Sequence, residues 1–388
     1  MLPRERVLAA LNHEEPNRIP IDLGSTRVSG ICLNAYASLL DALGLGPRKI
    51  RVVDRSQGLA GPEEDVLERL GVDLRPLWTN PSSRGEAAVA QEGAYEVYTD
   101  EWGCRVSRPS SAGLYFDVTE PALKEPSLEA VETFAWPDVD DPGRYDGLRE
   151  RARRLREETP YALVGHCDFG NDVLGIFHHV RGYTEAMLDL AAHPDFAEAF
   201  MEQVTQLALR AWGHFLGQVG DLVDVVAVYD DLGMQDRPLV SPAMYRRMIK
   251  PRHARIIAAV RERTRAKVFF HSDGAVSEFI PDLIEIGVDI LNPVQVSAAG
   301  MEDTAALKRR YGKDIVFWGA ACDSQRVLPF GSVEEVRRES LRRIADLAPG
   351  GGFVFAPVHN IQDDVSGDKT IALYQTAREA GRYPIASP

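Results

Sequence analysis

Residues 222–231 read LVDVVAVYDD, and residues 267–274 read KVFFHSDG. Each stretch is a short run of β-branched or aromatic residues that ends in carboxylates or an imidazole. A continuous apolar run of this length is typical of a strand buried on both faces of a parallel sheet. The amphipathic stretch 242–263 lies between the two runs and has the period of a helix. This order predicts a strand–helix–strand unit with polar groups at the carboxyl ends of its strands.

The same unit recurs along most of the chain. Amphipathic segments 276–285, 301–311 and 333–348 separate further apolar runs, as expected of parallel βα units. We therefore predict an α/β fold, a single (β/α)8 barrel of the TIM type that spans residues 1–388 as one domain. A doubly wound open sheet is the rival architecture, but no GxGxxG or P-loop motif follows any candidate strand. The eight strand candidates are residues 19–23, 51–54, 161–165, 222–229, 267–270, 288–291, 315–318 and 353–356.

Residues 84–120 interrupt the alternation of strands and helices. They alternate with period two, contain several aromatic and turn residues, and show no helical face. This pattern predicts an antiparallel β-meander inserted after the second barrel strand, near the rim of the barrel.

Composition and charge restrict the classes of partner. The 388 residues carry 58 acidic and 44 basic side chains, a net charge of -14, which argues against nucleic acid or an anionic membrane as a partner. No stretch resembles a signal peptide or a membrane span. Cysteines 32, 104, 167 and 322 form no CxxC pair. We expect a cytoplasmic protein with reduced thiols that acts on small molecules or other proteins; a homo-oligomer is compatible with the sequence.

Polar side chains follow every candidate strand. Barrel enzymes place their chemistry at the carboxyl ends of the strands, so each such position is a candidate site. Asp230 and Asp231 are neighbours on an extended chain, so only one of them is expected to face the pocket, and the other to accept loop amides. Arg27 could bind an anionic group bidentately, or pair with a surface carboxylate. The remaining candidates at strand ends include Asp54, His166, Asn292 and Gln295.

The sharpest constellation combines two strand ends. His271 and Asp273 lie two residues apart after one apolar run, and His359 follows the last run. Three such side chains around one barrel mouth can hold a catalytic zinc and leave a fourth position open. The alternative is structural, because Asp273 followed by a glycine and a helix is also good capping chemistry. Cys322 is either a softer ligand or a packing residue.

Several longer stretches carry a family resemblance. They include residues 4–24 (RERVLAALNHEEPNRIPIDLG), residues 229–256 beginning YDDLGMQDRP, residues 317–338 beginning FWGAACDSQR, and residues 350–365 ending APVHNIQDDV. In order and spacing they resemble the uroporphyrinogen decarboxylase superfamily over almost the whole chain. The resemblance implies a (β/α)8 barrel, in agreement with the strand count.

The superfamily implied by this resemblance has two chemistries. True decarboxylases work without a cofactor and hold a tetrapyrrole with an arginine-rich segment and an essential aspartate. In this chain the corresponding place reads DLGSTRVSGI (residues 22–31) and keeps only Arg27, while Asp54 falls near the place of the aspartate. A cofactor-free decarboxylase therefore remains an alternative, as does a barrel that only binds.

The other branch consists of zinc-dependent methyltransferases that exchange methyl groups with corrinoid proteins. Their metal pattern is similar to His271-Ser272-Asp273 and Val358-His359, although both family cysteines are replaced here by harder ligands. The resemblance then implies a demethylase type of enzyme that moves a methyl group from a small O-methyl or N-methyl donor to the corrinoid of a partner protein. The expected roles are zinc binding by His271, Asp273 and His359, catalysis by Asp231 and Asp54, and substrate binding by Asn292, Gln295, Arg27 and His166.

Overall fold

The computed structural model of the protein describes residues 1–85, 87–111, 115–169 and 172–385. Its strands are β1 Val52–Asp54, β2 Leu59–Ala60, β3 Leu74–Trp78, β4 Ala90–Glu92, β5 Tyr95–Thr99, β6 Arg105–Pro109, β7 Asp117–Glu120, β8 Ala162–His166, β9 Val225–Tyr229, β10 Lys267–His271, β11 Ile290–Asn292, β12 Val316–Ala320 and β13 Phe353–Ala356.

The α-helices of the described residues are α1 Pro3–Leu11, α2 Leu33–Ala42, α3 Glu64–Leu70, α4 Leu128–Glu132, α5 Leu148–Glu158, α6 Val173–Arg181, α7 Tyr183–Ala192, α8 Pro194–Val219, α9 Pro242–Met244, α10 Lys250–Arg261, α11 Ile280–Glu285, α12 Thr304–Tyr311, α13 Val327–Phe330, α14 Val333–Leu347 and α15 Gly367–Ala380. A 3-10 turn spans Pro142–Tyr145, and a π-helical turn, Tyr245–Ile249, joins α9 to α10. Within the described ranges, no helix has both the length and the apolar character needed to cross a membrane.

Seven parallel strands form a curled sheet in the order β13-β12-β11-β10-β9-β8-β3. Residues 19–23 close the ring between its two edges. On one side Ile21 forms a parallel bridge with Phe355 of β13. On the other side the backbone N–H of Asp73, just before β3, donates to the carbonyl of Ile21 at 2.9 Å. The predicted TIM-type α/β barrel is confirmed, with residues 19–23 as its first strand.

The second barrel strand lies elsewhere than predicted. Residues 51–54 contribute β1, which pairs antiparallel with β2 in a separate two-stranded ribbon, and Val52 is 51% exposed. The second strand position of the barrel is occupied by β3. Its sequence, LRPLW, is not a continuous apolar run because it contains an arginine and a proline. Arg75 is buried because its guanidinium donates to Glu64 of α3 and packs 3.5 Å from the centre of the Tyr161 ring. The prediction of residues 51–54 as a barrel strand was therefore wrong.

Alternate residues of the strands fill the barrel interior. In β9, Val225 and Ala227 point inward, and their neighbours Val226 and Val228 pack against the surrounding helices. Helix α1 contributes Val7 to the inner cluster and contacts β3, β8 and β13. The interior of the barrel is thus a packed core.

The inserted segment forms the predicted antiparallel meander, with strand order β4-β5-β6-β7. It follows β3, the second barrel strand, as expected. Residue 86 and residues 112–114 of the predicted segment lie outside the described residues. Cys104 and Val106 of the meander are buried, so one face of the insertion packs onto the barrel.

Candidate functional site

The barrel opens at the carboxyl ends of its strands into a cavity of about 330 Å³. Side chains that follow six different barrel strands meet in this space, as expected for the active-site end of such a barrel. Its walls are Arg27, Val28, Gln57, Trp78, His166, Cys167, Asp168, Asp172, Ile176, Tyr229, Asp230, Asp231, His271 and His359.

The predicted metal trio comes together at one side of this mouth. Strand β10 ends at His271, Asp273 lies in the following turn, and His359 follows β13. The Oδ2 atom of Asp273 is 3.9 Å from Nε2 of His271 and 3.8 Å from Nε2 of His359. One donor atom from each side chain lies within 4.8 Å of the other two. These separations are slightly wider than those around a zinc ion with bonds of about 2.0–2.2 Å, so a small movement would bring all three into coordination.

The hydrogen bonds of Asn292 fix the tautomer of His271. The amide nitrogen of Asn292 donates to the carbonyl of Trp318 at 3.0 Å, because a carbonyl oxygen only accepts. The amide oxygen then faces Nδ1 of His271 at 2.6 Å, so Nδ1 carries the proton. The lone pair of His271 Nε2 is then directed toward Asp273 and His359, as a metal ligand requires.

The donor set of the trio fits a zinc ion. Two imidazoles and a carboxylate are common ligands of catalytic zinc. The Oδ1 atom of Asp273 is buried and has no hydrogen-bond partner among the described residues, which is costly for a carboxylate unless a cation is present. Burial also lowers the pKa of His359, which favours the neutral imidazole that binds a metal. The trio is therefore suited to hold a zinc ion.

The adjacent carboxylates Asp230 and Asp231 have different environments. Asp230 is fully buried and accepts the backbone N–H groups of residues 173–175 at the start of α6 and Nε2 of His253 at 2.8 Å. Asp231 accepts the N–H of Asp273 at 2.8 Å, and its side chain is 55% exposed at the mouth. Burial in the recessed mouth and the nearby charge of Asp273 raise the pKa of Asp231. Asp230 thus orders the backbone, while Asp231 borders the trio.

Asp172, which the sequence did not indicate, lies in the cavity wall beside Asp230. Burial, followed by the charge of Asp230, raises the pKa of Asp172 well above its ordinary value, and the two side chains hydrogen bond to each other. Burial also raises the pKa of Asp230 to about 6. Asp230 accepts three backbone N–H groups and Asp172 only one, from Gly175 at 2.6 Å, so a proton shared by the pair is favoured on Asp172. The pair therefore holds a proton to a higher pH than an isolated carboxyl group does.

Another part of the cavity wall is aromatic. Trp78 stacks on His166 with ring centres 3.8 Å apart, and the Tyr229 hydroxyl donates to Nδ1 of His166 at 2.8 Å. Nε2 of His166 donates to the Ser25 carbonyl at 2.8 Å. Both nitrogens of the predicted binding residue His166 are thus engaged, and burial lowers its pKa to about 3. His166 contacts this space as a neutral ring.

Most of the charged groups that line the cavity are carboxyl groups. Arg27 donates to Asp168 at 2.6 Å, and its guanidinium lies 5.3 Å from the centre of the Trp78 ring. Among the described lining residues Arg27 is the only cation, against the carboxyl groups of Asp168, Asp172, Asp230 and Asp231. The cavity is therefore acidic before any metal binds.

Other predicted residues lie behind the cavity. Asp54 accepts the N–H of Gln57 at 2.9 Å and lies 3.7 Å from Nε of Arg27, so it supports two wall residues without lining the wall itself. Gln295 accepts the N–H of Gly274 at 2.8 Å. Cys322 is buried against Glu339 at 3.7 Å, away from the trio. The catalytic role of Asp54 and the binding role of Gln295 stay predictions.

The fold and the cavity together define an α/β barrel whose polar site lies at the carboxyl ends of its strands. Residues 100–380 match the sequence profile of the family described as Uroporphyrinogen decarboxylase (URO-D). Because this match covers most of the chain, the protein belongs to the uroporphyrinogen decarboxylase family. Among curated protein sequences, none matches this chain.

Solved structures with the same architecture include a methyltransferase from Methanosarcina mazei. It is 15% identical in sequence with a TM-score of 0.62, and the alignment covers 98% of this chain and 99% of that chain. The β-glycosidase of Thermosphaera aggregans aligns with a TM-score of 0.42 and 10% identity over 95% of this chain and 97% of that chain. At such identities the first likeness establishes the barrel fold, and the second carries no argument.

Proposed function

We propose that the protein is a zinc-dependent methyltransferase that moves a methyl group from a small O-methyl or N-methyl donor to a corrinoid carried by a separate partner protein. The observation that carries the proposal is the convergence of His271, Asp273 and His359 at the barrel mouth. The unpartnered Oδ1 atom of Asp273 supports it further. The methyltransferase from Methanosarcina mazei, one of the solved structures with a similar fold, is consistent with this proposal.

The residues of the cavity have different roles in the proposed reaction. When bound by His271, Asp273 and His359, zinc supplies a Lewis acid that polarises the leaving atom of the donor. Asp231 borders this point and orients the donor, and Trp78 and Arg27 contact its other end. When the methyl group departs from an oxygen, that oxygen keeps the bonding electron pair and must take up a proton. Asp172 lies in the cavity wall and holds the proton that we assign to this step.

The size and charge of the cavity favour this proposal over a tetrapyrrole decarboxylase. A volume of about 330 Å³ suits a small molecule, since it lies at the lower end of ordinary ligand cavities. A tetrapyrrole with many carboxylates also needs several counter-charges, whereas Arg27 here already pairs with Asp168. We therefore expect no enzymatic formation of coproporphyrinogen from uroporphyrinogen, and turnover of that substrate would reverse the ranking.

Metal content tests the proposal directly. Purified protein supplied with zinc is expected to retain the ion at the trio, and His271→Ala and His359→Ala are each expected to lose it together with methyl transfer to cob(I)alamin. His214→Ala is a matched control, because His214 bonds to Asp140 on the surface with 46% of its side chain exposed. Zinc affinity of the wild type should fall at acidic pH, because imidazoles must lose a proton before they bind.

Two results would refute the zinc site. If both histidine variants bind as many equivalents of zinc as the wild type, the trio is structural. The same conclusion follows if the wild type binds no zinc at the trio after metal-supplemented purification. Retained metal without methyl transfer from any donor would instead indicate a barrel that only binds. Circular dichroism of each variant separates loss of metal from loss of fold.

A further inference from the structure

A second cluster of metal-binding side-chain types lies outside the cavity, where the meander meets α6. Asp100 and Cys104 belong to the turn between β5 and β6, and His179 lies in the last turn of α6. One donor atom from each of these side chains lies within 4.8 Å of the other two. None of the three lines the cavity at the barrel mouth. The cluster is therefore separate from the trio of His271, Asp273 and His359.

The turn of the meander orients the carboxylate of Asp100. Its Oδ1 atom accepts the backbone N–H groups of Trp102 and Cys104, each at 2.9 Å. Its Oδ2 atom contacts Nε2 of His179. The Cys104 thiol is completely buried and donates to the carbonyl of His179 at 3.4 Å. Oxygen, nitrogen and sulfur from two elements distant in sequence are thus held at one place.

We propose that Asp100, Cys104 and His179 bind one divalent ion of the zinc class, which fastens the meander to α6. Sulfur, imidazole nitrogen and carboxylate oxygen are all zinc ligands. A thiolate and a carboxylate together neutralise a divalent ion, so the complex can be buried without an unpaired charge. The side chains of His179 and Asp100 remain 32% and 16% exposed, which leaves one side of the cluster open for a fourth ligand from solvent.

The competing explanation is an ion pair between Asp100 and His179 beside a neutral thiol. Both explanations hold the meander in place, so loss of stability in variants does not separate them. They differ in one bond, because only a bound metal makes a metal–thiolate contact. The trio at the mouth contains no sulfur, but Cys167 lines the same cavity, so loss of the thiolate signal in Cys104→Ser is needed to assign it to the second cluster.

Cobalt(II) is the probe, because it occupies zinc sites and a cobalt–thiolate bond gives a charge-transfer band in the near ultraviolet. Wild-type protein freed of metal is expected to bind two equivalents of cobalt and to show this band. His359→Ala should bind one equivalent with the band unchanged. Cys104→Ser should lose the band and one equivalent. Cys322→Ser is the matched control and should keep both, since Cys322 contacts Glu339 and belongs to neither cluster.

The wild-type spectrum decides the matter even if Cys104→Ser fails to fold. Absence of the band at saturating cobalt would overturn the proposal and leave Asp100 and His179 as an ion pair. Asp100→Asn is a second variant, in which the side-chain amide oxygen can still accept the two backbone N–H groups. We expect this variant to bind cobalt at least tenfold more weakly at the site that gives the charge-transfer band. If the trio binds no metal, one equivalent with the band still supports this second site, so the two proposals fail separately.

Discussion

Asn292→Ala is expected to weaken zinc binding although Asn292 is not itself a ligand. The amide of Asn292 accepts from Nδ1 of His271 at 2.6 Å and donates to the Trp318 carbonyl at 3.0 Å. Without this amide, nothing in the described surroundings of Nδ1 selects the tautomer that presents the Nε2 lone pair. The imidazole must then adopt the binding tautomer and orientation unaided, at the expense of metal affinity.

The magnitude follows from these two contacts. Partners that orient a metal-binding histidine contribute about 10- to 100-fold in affinity, which is about 1.4 to 2.8 kcal/mol. The metal-free protein should also lose stability, because the Trp318 carbonyl and Nδ1 of His271 are both left buried without a partner, at about 1–3 kcal/mol for each group.

Competition with a chromophoric chelator measures the zinc affinity, and urea unfolding of the metal-free protein measures the stability. Asn80→Ala is the matched control, because its amide donates to the carbonyls of Gly143 and Asp146 at 2.9 and 3.0 Å, outside the cavity. This control should cost stability and leave zinc affinity unchanged. A folded Asn292→Ala protein that binds zinc as tightly as the wild type would refute the assignment of the tautomer.

Four further predictions concern protons and the backbone. Burial lowers the pKa of His253 to about 4, so the unfolded chain takes up a proton between about pH 6.5 and 4 that the folded protein does not. The free energy of unfolding should therefore fall as pH drops through this window, by up to about 1.4 kcal/mol per pH unit. Urea unfolding at a series of pH values measures this slope, and an equally steep slope for His253→Gln would contradict the prediction. Asp172→Asn should slow methyl transfer most for donors whose leaving oxygen is most basic, and an equal loss for every donor would argue against its proton. Gly319→Ala should destabilise the protein by about 3 kcal/mol or more, since a Cβ there would lie 1.9 Å from the Pro293 carbonyl oxygen at φ +130. Gly217→Ala lies in α8, where an added Cβ would meet no atom within 4 Å outside the local helix backbone, and it should instead stabilise by about 0.5–1 kcal/mol. Thermal melts of the two variants measure both effects.

The barrel was predictable where strand burial produced continuous apolar runs. VVAVY (β9) and KVFFH (β10) show this directly, because both faces of these strands contact apolar neighbours. Strand β3 escaped because its outward face carries Arg75, which α3 and Tyr161 compensate through tertiary contacts. Such compensation has no signature in the local sequence.

The site was predictable to the extent that it depends on strand ends. His271, Asp273 and His359 each follow an apolar run, and the parallel strands of a barrel share one mouth, so the sequence alone indicates that these side chains meet. Asp172 could not be found in this way, because its role depends on the partner Asp230, which is distant in sequence. Trp78 was missed together with its strand, although it supplies the aromatic wall.

The stacking of Trp78 on His166 lies on strands that contribute none of the ion-binding side chains. In the proposed function, recognition of the donor and activation of the donor thus depend on different strands of one barrel. Substitutions on the recognition strands can change the molecule that is accepted while the catalytic ion keeps its ligands. A barrel arranged in this way can acquire new substrates during evolution by changing one wall at a time, and a protein engineer can begin at Trp78.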